Sequence, residues 1–328
     1  MSRNRIALPV TAALFAGAAS ADVPQVAVDI APVHSLVARV MQGVGDPMLI
    51  VSQGASPHEY SLRPSQASAL QNADVLFWVS PDLTPWLDDA IKTLAGEAEA
   101  VELIEVGGTI ELPLRENALF EEHDHSDHED DDHEEHEDHE DDNHEGDDDH
   151  ADHEGHDHGD HDPHAWLSPD NAAVWLNAIA ATLSAADPEN AGTYYANAAA
   201  GREELADLKT EISGILDPVR GGNFIVFHDA YQHFEASFGF PATGAISVSD
   251  AADPSPARIG AIQAIVAEQN VTCVLSEPQF NPGIVASVME GTEVNSGVLD
   301  PLGSDLTAGA DLYPQMLRNL ANALAECL

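Results

Sequence analysis

The stretch DPENAGTYYANAAAGREELADLKTEISGIL, residues 187–216, decides how the rest of the chain is arranged. Asp187-Pro188-Glu189 reads as a helix start, an N-cap followed by proline at the first helical position. Leu205, Leu208, Ile212 and Ile215 recur at three and four residues and make one apolar face. The pattern predicts a single helix from Asp187 to Leu216. At 1.5 Å per residue it would run roughly 43 Å, long enough to cross a whole molecule. Gly192 and Gly201 weaken it by about 1 kcal/mol each relative to alanine. A helix of that length is a connector between two lobes.

The same rhythm is written on both sides of it. Before it, apolar strands at 25–31, 48–51, 75–79 and 101–104 alternate with helices at 34–41, 65–73 and 85–94, and a further helix runs from Ser168-Pro169 to Ala186. After it, strands at 223–228, 244–248, 271–276 and 297–300 alternate with helices at 229–238, 256–269 and 310–326. Short apolar strands alternating with helices indicate βαβ units and mostly parallel sheets. The expected fold class is therefore α/β: a first lobe over 22–186, the connecting helix over 187–216, and a second lobe over 217–328.

One segment breaks the rhythm. Of the 58 acidic residues, 24 fall between Glu121 and Asp162, where there is no Lys or Arg and where twelve histidines stand, from His123 to His161. Nothing there can build a core, and the composition predicts a disordered loop over 121–162. An insertion of that length costs a folded lobe little, because closure entropy grows only logarithmically. The remaining 34 acidic against 11 basic residues leave the folded part acidic too. That argues against nucleic acid or an anionic membrane surface as partner. Imidazoles interleaved with carboxylates bind divalent metal, so weak, exchanging sites are expected over 123–161.

Arg3 and Arg5, the apolar stretch Ile6 to Ala19 and the small-x-small sequence Ala19-Ser20-Ala21 predict a cleaved signal peptide over 1–21 and a mature start at Asp22. The apolar run is too short to span a bilayer, and no cysteine follows the cleavage point to carry a lipid. A bacterial periplasm is the expected location. The two cysteines, Cys273 and Cys327, suit an oxidising compartment. A bond between them closes about 55 residues, worth roughly 4 kcal/mol by chain entropy, with two buried free thiols as the alternative.

Five histidines stand outside the run: His34, His58, His164, His228 and His233. His228 ends a strand, His58 lies in a loop after one, and His164 precedes a helix. In open α/β sheets, ligands bind outside the carboxyl ends of strands. His58 and His164 from the first lobe and His228 from the second place a metal site in the cleft between lobes, and three imidazoles suit zinc. The fourth position is left to Asp300, Glu59 or water. His34 at a helix start and His233 inside a helix read as structural residues.

Pro57-His58-Glu59-Tyr60-Ser61-Leu62-Arg63-Pro64-Ser65, Asp162-Pro163-His164-Ala165-Trp166-Leu167-Ser168-Pro169 and Phe227-His228-Asp229-Ala230-Tyr231 resemble, in order, the three metal-ligand motifs of the zinc-specific periplasmic binding proteins of ABC importers. Asp300-Pro301-Leu302-Gly303 is similar to a fourth motif of that family. His233 departs from it, standing where an aromatic residue is expected. The resemblance implies two lobes on a rigid helix, Zn²⁺ held by His58, His164 and His228, a Cys273–Cys327 bond, and delivery to an inner-membrane permease. Apart from the resemblance, a monomer is expected, and a periplasmic metallochaperone is a candidate partner that the residues do not decide. A solute-binding protein is expected, not an enzyme. The alternatives are a manganese or iron member of the same family, a metal buffer without a permease, and a periplasmic zinc hydrolase. For the hydrolase the sequence offers only His133-Glu134-Glu135-His136, one residue short of the helical H-E-x-x-H spacing.

Overall fold

The computed structural model describes residues 23–115, 161–247 and 254–328. The leader expected at 1–21 and the acidic run up to residue 160 lie outside the described residues. The first lobe contains β1 (Val26–Val28), α1 (Ala31–Met41), β2 (Met48–Leu49), α2 (Pro64–Gln71), β3 (Val75–Trp78), α3 (Pro85–Leu94) and β4 (Glu99–Glu102). Two long helices follow, α4 (Pro169–Ala186) and α5 (Ala191–Leu216). The second lobe contains β5 (Phe224–His228), α6 (Gln232–Phe238), β6 (Gly244–Ser247), α7 (Pro256–Glu268), β7 (Cys273–Ser276), α8 (Pro282–Met289) and β8 (Asn295–Val298), and α9 (Leu312–Cys327) closes the chain.

Both sheets are fully parallel and share one topology, β2-β1-β3-β4 and β6-β5-β7-β8. Their central strands are buried on both faces, which is why they read as unbroken apolar runs. In each sheet the chain enters at an inner strand, steps to one side, then crosses back to the other. The crossovers therefore reverse between β1 and β3 and between β5 and β7, and a crevice opens at the carboxyl ends there.

Helix α5 is the expected connector, shorter at its start than the sequence suggested. Asp187 does not cap it. Its carboxylate accepts from the Asn190 amide at 3.4 Å, Asn190 Nδ2 at 2.7 Å and the Tyr194 hydroxyl at 2.9 Å, which shapes a turn over 187–190. From Ala191 the helix runs 26 residues and buries Tyr194, Ala198, Gly201, Leu205, Leu208, Ile212 and Leu216 against α1, α4 and α9. Gly201, a cost to the isolated helix, is a close-approach point: a Cβ there would meet Leu176 Cδ1 at 3.0 Å. One apolar core runs without interruption from the first lobe through α5 into β5 and α9.

Three further expectations shift. β4 and β8 each lie two residues earlier than the apolar runs at 101–104 and 297–300. Both are sheet edges with largely exposed strand residues, and the buried Leu103, Ile104 and Leu299 follow directly, their amides donating to the Trp78, Val79 and Ser276 carbonyls. Helix α8 was not expected, although Asn281 caps it and Pro282 opens it. Cys273 on β7 and Cys327 at the end of α9 are bonded, with Cα atoms 5.6 Å apart. Gly297 on the neighbouring strand packs closely on Leu275, since a Cβ there would meet Leu275 Cδ2 at 3.0 Å.

At the first lobe's crossover reversal, the buried Asp29 carboxylate accepts from the Ile30 and Val79 amides, each at 2.7 Å, and ties the ends of β1 and β3 together. Burial pushes its pKa up to about 7, against these amide bonds. A carboxyl raised on folding binds more protons folded than unfolded between its two pKa values, so stability falls as pH rises from about 4 to about 7. One proton corresponds to about 1.4 kcal/mol per pH unit. Thermal melts of the protein and of Asp29→Asn over that window should diverge with this sign and slope; parallel curves would refute it.

Candidate metal centre

The loop that carries His58 is stitched from both sides. The Tyr60 hydroxyl accepts from the Ser52 amide at 3.2 Å and from Gln66 Nε2 at 2.7 Å, and it pairs with Ser52 Oγ at 2.7 Å. Trp86 Nε1 donates to the Pro57 carbonyl at 2.7 Å, one residue before the histidine. Proline at position 64 opens α2, as its placement predicted, and stops the loop.

His164 sits in a tight bend. The Asp162 carboxylate accepts from the His164 amide at 3.0 Å and from its Nδ1 at 2.7 Å, across Pro163. A single 3₁₀ turn over Ala165–Leu167 follows, and Ser168 then caps α4 through the Asn171 amide. Trp166 Nε1 donates to the Pro301 carbonyl of the second lobe at 2.9 Å, which locks the bend across the cleft. His228 is the last residue of β5, and its Nδ1 donates to Glu277 Oε1 at 2.6 Å. The β5–β7 register explains this partner. Phe224 faces Cys273 and Ile225 faces Val274, so the ladder carried onward sets Glu277 opposite His228.

The three rings meet. The His164 ring centroid lies 5.5 Å from that of His58 and 5.3 Å from that of His228. One ligating atom from each falls within 4.8 Å of the others, and it is the one group of this kind among the described residues. His164 and His228 are buried and His58 half-buried. Trp166, Phe280, Pro301 and Leu302 form the apolar part of the wall. The free volume between these groups is about 20 Å³, room for one cation or water rather than an organic substrate.

Two features fix the chemistry. A carboxylate can only accept, so Asp162 and Glu277 hold the proton on Nδ1 and turn each Nε2 lone pair toward the shared space. Three neutral imidazoles carry no charge, while the two carboxylates behind them carry two negative charges, which balance a divalent ion. Burial pushes the Asp162 carboxyl above its ordinary range, so a cation nearby relieves a charge the fold desolvates.

Neither residue named for a fourth position joins the cluster. Asp300 spends both carboxylate oxygens on its own loop, accepting from the amides of Leu302, Gly303 and Ser304 at 2.6 to 3.1 Å. Glu59 is exposed. His34 and His233 stand apart, each donating Nε2 to a backbone carbonyl, of Pro47 at 3.0 Å and of Asp162 at 3.2 Å, and burial lowers the pKa of both. The sequence reading assigned no role to Asp162 or Glu277. The signal for Asp162 was its place two residues before His164, and for Glu277 its place at a strand's carboxyl end.

Two parallel-sheet lobes on a shared helix, with imidazoles from both closing on an ion-sized space, define a bilobal solute-binding protein whose cleft suits a transition-metal cation. Comparison with known proteins narrows the class. The profile of the family described as "Zinc-uptake complex component A periplasmic" matches residues 26–327. The chain is 50% identical over 304 residues to the high-affinity zinc uptake system protein ZnuA of Brucella abortus (strain 2308), covering 92% of this chain and 91% of that protein. The namesake in Paracoccus denitrificans (strain Pd 1222) is 46% identical over 311 residues, covering 94% and 93%. In fold the chain is similar to a crystal structure of ZnuA, with TM-score 0.71 and 22% identity over 93% of this chain and 99% of that one. AdcAII of Streptococcus pneumoniae gives 0.70 and 21%, over 93% and 98%. The chain belongs to the ZnuA family of periplasmic zinc-uptake components. That family serves transport, not catalysis. Among the described residues no helix is long and apolar enough to cross a membrane.

Proposed function

We propose that the chain captures Zn²⁺ in the periplasm through His58, His164 and His228 and delivers it to the membrane permease of an ABC importer. The observation that carries this reading is the convergence of three imidazole rings from both lobes, two of them with Nδ1 held by a carboxylate, on a space for one ion. Water completes a tetrahedral set, since Asp300 is engaged by its own loop and Glu59 faces solvent. Borderline-soft nitrogen donors suit zinc over manganese or iron, which take more oxygen. The working unit is a monomer made from residues 22–186, 187–216 and 217–328 after removal of 1–21. The continuous core along α5 favours a small tilt of the lobes over a wide hinge. Histidines over 123–161 gather zinc weakly in front of the site, where a periplasmic metallochaperone would also present it.

Isothermal calorimetry tests both parts. The full chain should show one tight zinc site and several weak ones. Deleting residues 123–161 should remove several weak sites and leave the tight one within about threefold. Equimolar Mn²⁺ should not displace zinc. Loss of tight binding on deletion, or displacement by Mn²⁺, would overturn the assignment.

A further inference from the structure

The acidic insertion leaves and re-enters the fold through a stem that belongs to neither lobe alone. On the first-lobe side the stem is fixed to α4. Asn171 exchanges two hydrogen bonds with the Ile110 backbone, at 2.7 and 3.0 Å, and Trp175 Nε1 donates to Thr109 Oγ1 at 3.0 Å. The two ends of the stem pair with each other, through the Pro113–His161 bridge and the Asp162 amide on the Leu112 carbonyl at 2.7 Å. Both ends then reach the second lobe. Arg115 Nε donates to Asp229 Oδ2 at 2.9 Å, Nη2 donates to Asp229 Oδ1, and Nη1 donates to Glu235 Oε2 at 2.8 Å. At the other end the Asp162 carbonyl accepts from His233 Nε2 at 3.2 Å.

These bonds lie next to the metal centre. Asp229 directly follows His228 in the chain, and Asp162 is the residue that holds the His164 ring. Arg115, Asp229 and Glu235 have side chains 18%, 7% and 6% exposed, so water does not screen them as it does the exposed pairs Lys92–Asp88 and Arg220–Asp217. A guanidinium is the one side chain whose planar fork can serve two carboxylates together.

We propose that Arg115 is a positioning residue, a clasp that holds the second lobe against the insertion stem and so sets the separation of His164 and His228. Opening the cleft must break the Arg115 fork as well as the metal bonds, so clasp and cation favour the same closed form. By linkage each tightens the other. The insertion's contribution to tight binding then resides in its stem, and its histidine run is dispensable for it. The inference rests on the reading of His164 and His228 as ligands, and the experiment separates the two.

The zinc-loaded full chain is mixed with excess chromogenic chelator in a stopped-flow instrument and the release rate is read. Removing Arg115 alone would strand two buried carboxylates, so the main variant, Arg115→Met/Asp229→Asn/Glu235→Gln, removes all three charges together. Release should quicken between tenfold and a hundredfold, the range for losing a partner behind metal ligands. Association should change by less than about threefold, and the visible spectrum of the Co²⁺ form should keep its band positions, because the ligands are the same. Arg115→Lys should fall between the variant and the unaltered protein. A second measurement needs no variant: zinc should slow amide exchange in the peptide 111–115, remote in sequence from every ligand. A folded triple variant with unaltered release, a shifted Co²⁺ spectrum, or exchange at 111–115 indifferent to zinc would each overturn the clasp. An unaltered protein without a tight zinc site would instead sink the reading of the ligands.

Discussion

His164→Ala is expected to weaken tight zinc binding by a hundredfold to a thousandfold. Structural zinc sites with four ligands are worth about 10–16 kcal/mol, or about 2.5 to 4 kcal/mol per ligand. His164 is the ligand whose loss should be least repairable, because its ring lies between lobes, 5.5 Å from that of His58 and 5.3 Å from that of His228. Without it, His58 and His228 are left on opposite lobes. The variant also takes the Nδ1 partner from the buried Asp162 carboxylate and leaves it the residue-164 backbone amide, so stability must be measured beside affinity. Competition calorimetry of His164→Ala should show the tight site gone while the weak sites persist. His34→Ala, which alters a buried ring bonded to a carbonyl of its own lobe, should bind zinc as the unaltered chain does. A tight site surviving in His164→Ala would remove the central claim about this cleft.

Much of this molecule can be read from its residues because the informative signals are local. VAV, VLFW and FIVFH are strands buried on both faces, and such strands announce themselves as apolar runs. The three histidines were legible because each stands in a loop or at a strand end within a distinctive motif. What was not legible depends on partners far along the chain. Glu277 meets His228 across 49 residues, and only the β5–β7 register says so. Arg115 meets Asp229 across 114 residues, from a segment that reads merely as the way into an acidic loop. The edge strands β4 and β8 were misplaced for the opposite reason, since an exposed ladder carries no apolar pattern. Asp187-Pro188-Glu189 satisfied the local rule for a helix start, yet its carboxylate serves a turn and a tyrosine seven residues on.

The double variant Asp162→Asn/Glu277→Gln should lose between a hundredfold and ten-thousandfold in zinc affinity with all three ligands intact. Each carboxylate accepts from the Nδ1 of one ligand, at 2.7 and 2.6 Å, and neither can donate. That restriction fixes the tautomer in which Nε2 has a free lone pair for metal. An amide of the same shape can rotate its NH₂ toward Nδ1, which stabilises the tautomer protonated on Nε2, a form that cannot ligate. The change also removes the two negative charges that balance the cation. Losing one such partner typically costs tenfold to a hundredfold in metal affinity. Full additivity in free energy sets the upper end of this range, and coupling through the shared cation and the adjacent rings lowers it. Single variants measured beside the double one check that additivity, and cobalt spectroscopy checks that the ligands themselves remain. Wild-type affinity in the double variant would mean that neither the tautomer nor the charge balance is set by these carboxylates. The selectivity of the cleft would then rest on its three rings alone.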